Sequence, residues 1–220
     1  MGHQASDSGE GGADFATLAD AAAALRRLNR AVAGHHAGDA LLHDVARAAH
    51  ELAGRLEIGA PRSKVDDMAR ALGITDGFDA APPPPVGSVM EFDPLGIGGG
   101  RLNPASVDLT FERDTETSVV ATATVHGMFQ GPPGRVHGGM VALLFDELMG
   151  AVNRATGRRA FTVRLIVNLR AAAPIDTPLT MRAWLESVDG RKITIRAEGH
   201  SAAGSFADAD GLFVTFAELT

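Results

Sequence analysis

Arg135-Val136-His137-Gly138-Gly139-Met140-Val141-Ala142-Leu143-Leu144-Phe145-Asp146 decides how this chain is built. The run continues through Leu148, Met149 and Val152, so apolar residues fall on nearly every side of a 3.6-residue period. A helix of that kind has to be enclosed. It is predicted over about 139–156, with Gly157 closing it. Gly131-Pro132-Pro133-Gly134 turns the chain into its start.

Strand-like runs flank this helix on both sides. Residues 106–111 and 118–129 precede it, and Val120, Thr122 and Thr124 alternate against Val119, Ala121, Ala123 and Val125. Four more runs follow at 160–170, 178–188, 192–201 and 205–217, with Asp189-Gly190 as a hairpin turn. The order predicts an α+β fold, a curved antiparallel sheet wrapped around one long central helix. A doubly wound parallel sheet is excluded, because it needs helices between the later strands.

Upstream the chain divides into three further parts. Residues 1–13 are rich in Gly, Ser and Asp and are expected to be disordered. Residues 14–75 form a helical extension, 76–88 a Pro-rich linker around Pro82-Pro83-Pro84-Pro85, and 89–220 the main domain. In the extension, Leu18, Ala21, Ala22, Leu25 and Leu28 share one helix face, with Arg26, Arg27 and Arg30 on another. Asp39 is expected to cap a second helix carrying Leu42, Val45, Ala49, Leu52 and Leu56. Ser63 is expected to cap a third, with Asp66 three residues on and Gly73 as its stop. Three short helices make no independent core, so a lid, a dimer arm or a docked appendage is expected.

Composition narrows the function. The net charge of -7 argues against a nucleic-acid partner. No apolar run reaches the ~18 residues of a membrane span. The first 13 residues lack the apolar stretch of a secretory signal, so a cytoplasmic location is expected. With no cysteine, disulfides, Cys-bound zinc and a thiol nucleophile are excluded.

The chemistry gathers around the helix start. Free N–H groups of Gly138 and Gly139 there can hold a developing negative charge, although glycines are also what a tight turn needs. Asp146, a carboxylate on an apolar helix, is either a pocket acid or the single solvated stripe. Glu147 points about 100° away from it and is assigned to the solvated or interface side. Thr162 lies on the next strand, where a Thr is by itself a good β-former. Asn168 and Arg170, two apart, share a strand face, and Arg191 and Lys192 follow a tight turn. Cations so placed suit phosphates, and are also ordinary at strand ends.

Other motifs fall away. Gly199-His200-Ser201 mimics a nucleophile elbow, but no histidine follows to complete a triad. Gly96-Ile97-Gly98-Gly99-Gly100 is followed by Arg101-Leu102-Asn103-Pro104 rather than by a helix, so it is no dinucleotide fingerprint. His36, His43 and His50 stand roughly 10 Å apart along a helix, too far for one metal. No metal and no cofactor are expected.

With these elements placed, residues Pro94 to Phe216 resemble the hotdog-fold acyl-CoA thioesterases, in the phenylacetate-pathway (PaaI-like) and THEM-type subgroup. The likeness lies in His137-Gly138-Gly139 with an acid nine residues after the His, in Val188-Asp189-Gly190-Arg191-Lys192, and in Asp208-Ala209-Asp210-Gly211-Leu212-Phe213-Val214. The resemblance implies that Asp146 is the catalytic carboxylate, as general base toward water or as nucleophile through an anhydride. It implies that the Gly138 amide polarises the thioester carbonyl while His137 shapes the loop. Thr162 would contact the water or the carboxylate, and Asn168, Arg170, Arg191 and Lys192 would contact coenzyme A, with Gly139 lining the substrate. It further implies a homodimer or dimer of dimers, with loop and acid supplied by different subunits. The competing reading is a module that binds acyl-CoA or another apolar ligand without turnover. A hotdog dehydratase is a third, which would want a catalytic His near the acid.

Overall fold

The computed structural model describes residues 14–71 and 82–215. The expectations for 1–13, for the Gly73 stop, for 76–81 and for the strand end at 216–217 lie outside them. The helices are α1 (Phe15–Gly34), α2 (Asp39–Leu56), α3 (Lys64–Ala71) and α4 (Gly138–Ala155). The strands are β1 (Val89–Met90), β2 (Thr110–Arg113), β3 (Ser118–Thr124), β4 (Ala160–Leu169), β5 (Pro178–Asp189), β6 (Lys192–Ser201) and β7 (Gly204–Thr215). They form one antiparallel sheet in the order β1-β2-β3-β5-β6-β7-β4.

The sheet curls around α4, which touches every strand from β2 to β7. Leu144, Phe145, Leu148, Met149 and Val152 are fully buried there, against Met181, Ile193, Ile195 and Phe213. Each such side chain contributes about 1.5–3 kcal/mol by leaving water. This is the hotdog architecture the alternation predicts, with Gly190 (φ +55°) closing the β5–β6 hairpin. No described helix is long and apolar enough to cross a membrane.

Local departures have local causes. Residues 106–109 are extended but pair with the glycine loop, Val107 N–H to Ile97 O at 3.0 Å and Leu109 N–H to Gly98 O at 3.0 Å, so β2 begins only at Thr110. After Thr124 the chain leaves the sheet for a 3-10 turn at Gly127–Phe129 instead of extending as strand. A bulge between Thr162 and Arg164 re-phases β4. Thr162 opposes Phe213 and Leu165 opposes Gly211, so both face α4, while Asn168 opposes Asp208 on the outer face.

The N-terminal helices correct the amphipathic expectation. The buried residues of α1 are Ala22 and Arg26, whereas Leu25 and Leu28 are 45% and 39% exposed. An arginine can bury its stem and guanidinium where carboxylates and carbonyls meet it, and Asp108 and the Asn103 carbonyl do so here. Gly38 stands at the N-cap of α2 and Asp39 is its first residue, and α2 buries no residue at all. Ser63 does cap α3, its hydroxyl accepting the Asp66 N–H at 3.3 Å. The prolines of the linker are held down by arginines: Arg154 donates to Pro82 O at 3.1 Å and Arg113 to Pro84 O.

Candidate active site

The loop entering α4 is held on both sides. Pro133 and Gly134 (φ +74°) form the centre of a type II turn, closed by Arg135 N–H to Pro132 O at 3.0 Å. Val136 N–H donates to Ala173 O at 2.8 Å and His137 N–H to Phe129 O at 2.9 Å. His137 then caps the helix, its Nδ1 accepting the Gly139 N–H at 3.1 Å. Its carbonyl accepts from Met140 at 2.8 Å and Val141 at 3.1 Å. Four N–H groups of a first turn lack intrahelical partners. Here the His137 N–H goes to Phe129, those of Gly139 and Met140 go to His137, and the Gly138 N–H alone makes no hydrogen bond among the described residues. Through this division His137 shapes the loop and leaves one donor, at the positive end of the helix dipole, turned toward whatever binds there.

Two turns along, Asp146 sits half-buried on the flank of α4 that meets edge strand β4. Thr162 Oγ1 donates to Asp146 Oδ1 at 2.8 Å. One carboxylate oxygen is thereby fixed and the other left to accept from a water or a substrate group. Eight residues of helix separate Gly138 from Asp146, roughly 12 Å along the axis. One thioester carbonyl cannot touch both groups of a single α4.

Glu147 is the clearest correction. Instead of facing solvent or an interface, it is packed beneath the glycine loop, where a Cβ at Gly98 would stand 2.7 Å from its Cγ. This close approach accounts for Gly98, while Gly99 is crowded by the Leu109 carbonyl and the Phe111 ring and Gly100 by the backbone of Gly96. Its Oε2 is buried without a partner. Burial first, then the Asp93 and Asp146 carboxylates, push the Glu147 carboxyl up, opposed by the Gly98 N–H and by Lys64. A raised folded value means the stability contributed by the neutral acid is complete below the unfolded carboxyl range. It is lost as pH climbs through the raised value. Glu147→Gln, neutral throughout, is therefore expected to melt increasingly above the native chain as pH rises from about 4 to 8. Thermal unfolding followed by circular dichroism checks this, and a constant gap across that range would refute it.

Two of the expected binding residues, Asn168 and Arg170, are joined by the carboxylate of Asp208. Asp208 accepts from Asn168 Nδ2 at 2.7 Å and from Arg170 through Nε and, at 3.3 Å, Nη2. These bonds hold the Asp208 carboxyl below its usual range, Arg170 first and Asn168 second. The trio lies on the outer face of the sheet, opposite the face carrying Thr162. Arg191 donates through Nη2 and Nε to the Thr215 carbonyl at 2.9 and 3.2 Å, and Lys192 is exposed beside it. The structure thus brings together His137, Gly138 and Gly139, separately Asp146 with Thr162, and separately Asn168 with Arg170. Among the described residues no three His, Cys, Asp or Glu side chains converge as a metal cluster.

Comparison with known proteins shows the family. A solved thioesterase superfamily protein is 33% identical, with a TM-score of 0.71 over 93% of this chain and 92% of that one. The chain belongs to the thioesterase superfamily. The superfamily model matches residues 133–205, from the turn before His137 to the start of β7. Human acyl-coenzyme A thioesterase THEM5 is 26% identical over 106 residues, 47% of this chain and 43% of that protein. Bovine acyl-coenzyme A thioesterase THEM4 is likewise 26% identical over 106 residues, 47% of this chain and 44% of that protein. The chain therefore spans less than half the length of these curated relatives. The solved superfamily protein, by contrast, matches over nearly its whole length, a span that includes the N-terminal helices.

Proposed function

We propose that this protein hydrolyses fatty-acyl or aryl-acyl thioesters of coenzyme A to the free acid and CoA. The hydrogen bond from Thr162 to Asp146 carries the reading, because it orients a carboxylate beside an open edge of the sheet. The Gly138 amide polarises the thioester carbonyl. Asp146 takes a proton from water as the water oxygen bonds to the carbonyl carbon, and the resulting oxyanion is held by the Gly138 N–H. Collapse breaks the C–S bond, and the departing sulfur takes the proton from Asp146. Gly139, its own amide held by His137, keeps the approach free of a side chain. Asn168, Arg170, Arg191 and Lys192 receive the phosphates of CoA.

The 12 Å gap argues for two copies with antiparallel α4 helices, so that Gly138 of one faces Asp146 of the other. Edge strand β4 supports this. Among the described residues its ladder is paired on one side only, and Val163, Ile166 and Leu169 are 59%, 45% and 57% exposed.

The test is release of CoA thiol from an acyl-CoA series, read with a thiol reagent to which this cysteine-free protein adds no background. Tight binding without release would favour the non-catalytic module. Thr162→Ala is expected to lower kcat by about ten- to hundredfold, the value of a hydrogen bond to a charged group. Unchanged turnover would remove Thr162 from the site.

A further inference from the structure

The thioesterase reading leaves the N-terminal helices without work, yet α1 is attached in an unusual way. Leu25 and Leu28 face outward, and beside the buried Ala22 its hold on the domain is ionic. Arg26, 9% exposed, places Nε 2.8 Å from Asp108 Oδ1 and donates from Nη1 to Asn103 O at 2.8 Å. Arg30 adds a contact to Asp108 Oδ2 at 3.1 Å. Asp108 holds a left-handed backbone conformation (φ +63°), one a non-glycine residue keeps only where its surroundings fix it.

What α1 rests on is the 3-10 turn Gly127–Phe129, and Arg26 and Arg30 line a crevice with Met128 and Phe129. That turn supplies the Phe129 carbonyl that accepts the His137 N–H, and the neighbouring Gln130 side chain accepts the Gly134 N–H at 3.0 Å. Packing of α1 on the 3-10 turn thus joins the Arg26–Asp108 contact to the hydrogen-bonded run from Phe129 to the cap that leaves the Gly138 amide open.

We infer that α1 is a brace for the polarising amide, and that Arg26 is a positioning residue acting through the 3-10 turn and His137. The inference rests on the proposed role of Gly138. A planar guanidinium sets Nε beside the Asp108 carboxylate while Nη1 donates to the Asn103 carbonyl, a spread that the single nitrogen of a lysine ammonium does not match. Arg26→Met and Arg26→Lys are both expected to lower kcat for acyl-CoA hydrolysis by about ten- to hundredfold, as displacement of a reacting group by about 1 Å does, with KM little changed.

The deciding measurement is hydrogen–deuterium exchange of the full chain, native against Arg26→Met, which needs no activity. Faster exchange confined to α1 and residues 127–140, with β5 to β7 unchanged, is the expected result. Unchanged exchange at 127–140 would overturn the brace. Uniform acceleration through the sheet would also overturn it, by showing that Arg26 only holds the fold. Kinetics separate the two readings. A native chain that releases no CoA sinks the thioesterase, whereas Asp146-dependent turnover that ignores Arg26→Met sinks the brace alone.

Discussion

Asp146→Asn is expected to abolish most turnover, lowering kcat by about 10²- to 10⁴-fold while KM stays near native. The substitution is close to isosteric, and the amide oxygen of Asn still accepts from Thr162, whose hydroxyl lies 2.8 Å from Oδ1 in the native chain. What is lost is the ability to take a proton from water. The fold is retained, so thermal unfolding of the variant should match the native protein. Turnover equal to native would end the assignment of Asp146. Single turnover in heavy-oxygen water then separates the two roles of the acid. Label in the Asp146 carboxyl requires an anhydride, whereas a general base puts the label in the product acid and leaves Asp146 unlabelled.

Asp146 was legible because its surroundings in the chain are periodic. An apolar helix announces itself through local spacing, and the adjoining acids Asp146 and Glu147 stand out against it. The β5–β6 hairpin was readable for the same reason, since its signal is contained in Asp189-Gly190 and two alternating runs. What escaped depended on residues far apart in the chain. Helical geometry turned Glu147 away from Asp146 but could not say that the 96–100 loop would lie on it. Asp208 meets Asn168 and Arg170 from 40 and 38 residues away, through a β4–β7 register that no local pattern encodes. Arg26 was misread for another reason. Hydrophobic patterning sends arginine outward, whereas its buried pairing with Asp108 spans most of the distance from α1 to the sheet in sequence. Even β2 started late because Val107 and Leu109 found partners in a loop rather than in a strand.

The amide at Gly138 admits a test that leaves the backbone intact. Proline is favoured at the first position of a helix, where its missing N–H breaks no intrahelical bond. The preceding residue must then be extended, and His137 already has φ −61° and ψ +135°. A Cβ at Gly138 meets only Leu169 Cδ1, at 3.1 Å, the far end of a flexible side chain. Gly138→Pro should therefore fold and yet lack the donor. Its kcat is expected to fall about 10²- to 10³-fold, as loss of one oxyanion donor does elsewhere. Gly138→Ala, which keeps the N–H, should remain near native, and an equal loss in both would point to crowding by the added carbons instead. The pair of inactive chains also tests the shared site. Co-expressed in equal amounts, Asp146→Asn and Gly138→Pro chains pair at random, half the dimers are mixed, and one of the two sites in each mixed dimer holds both native groups. Activity should return to about a quarter of native if loop and acid come from different subunits. If one chain supplied both groups, no mixed dimer would contain an intact site, and the mixture would stay as inactive as its components.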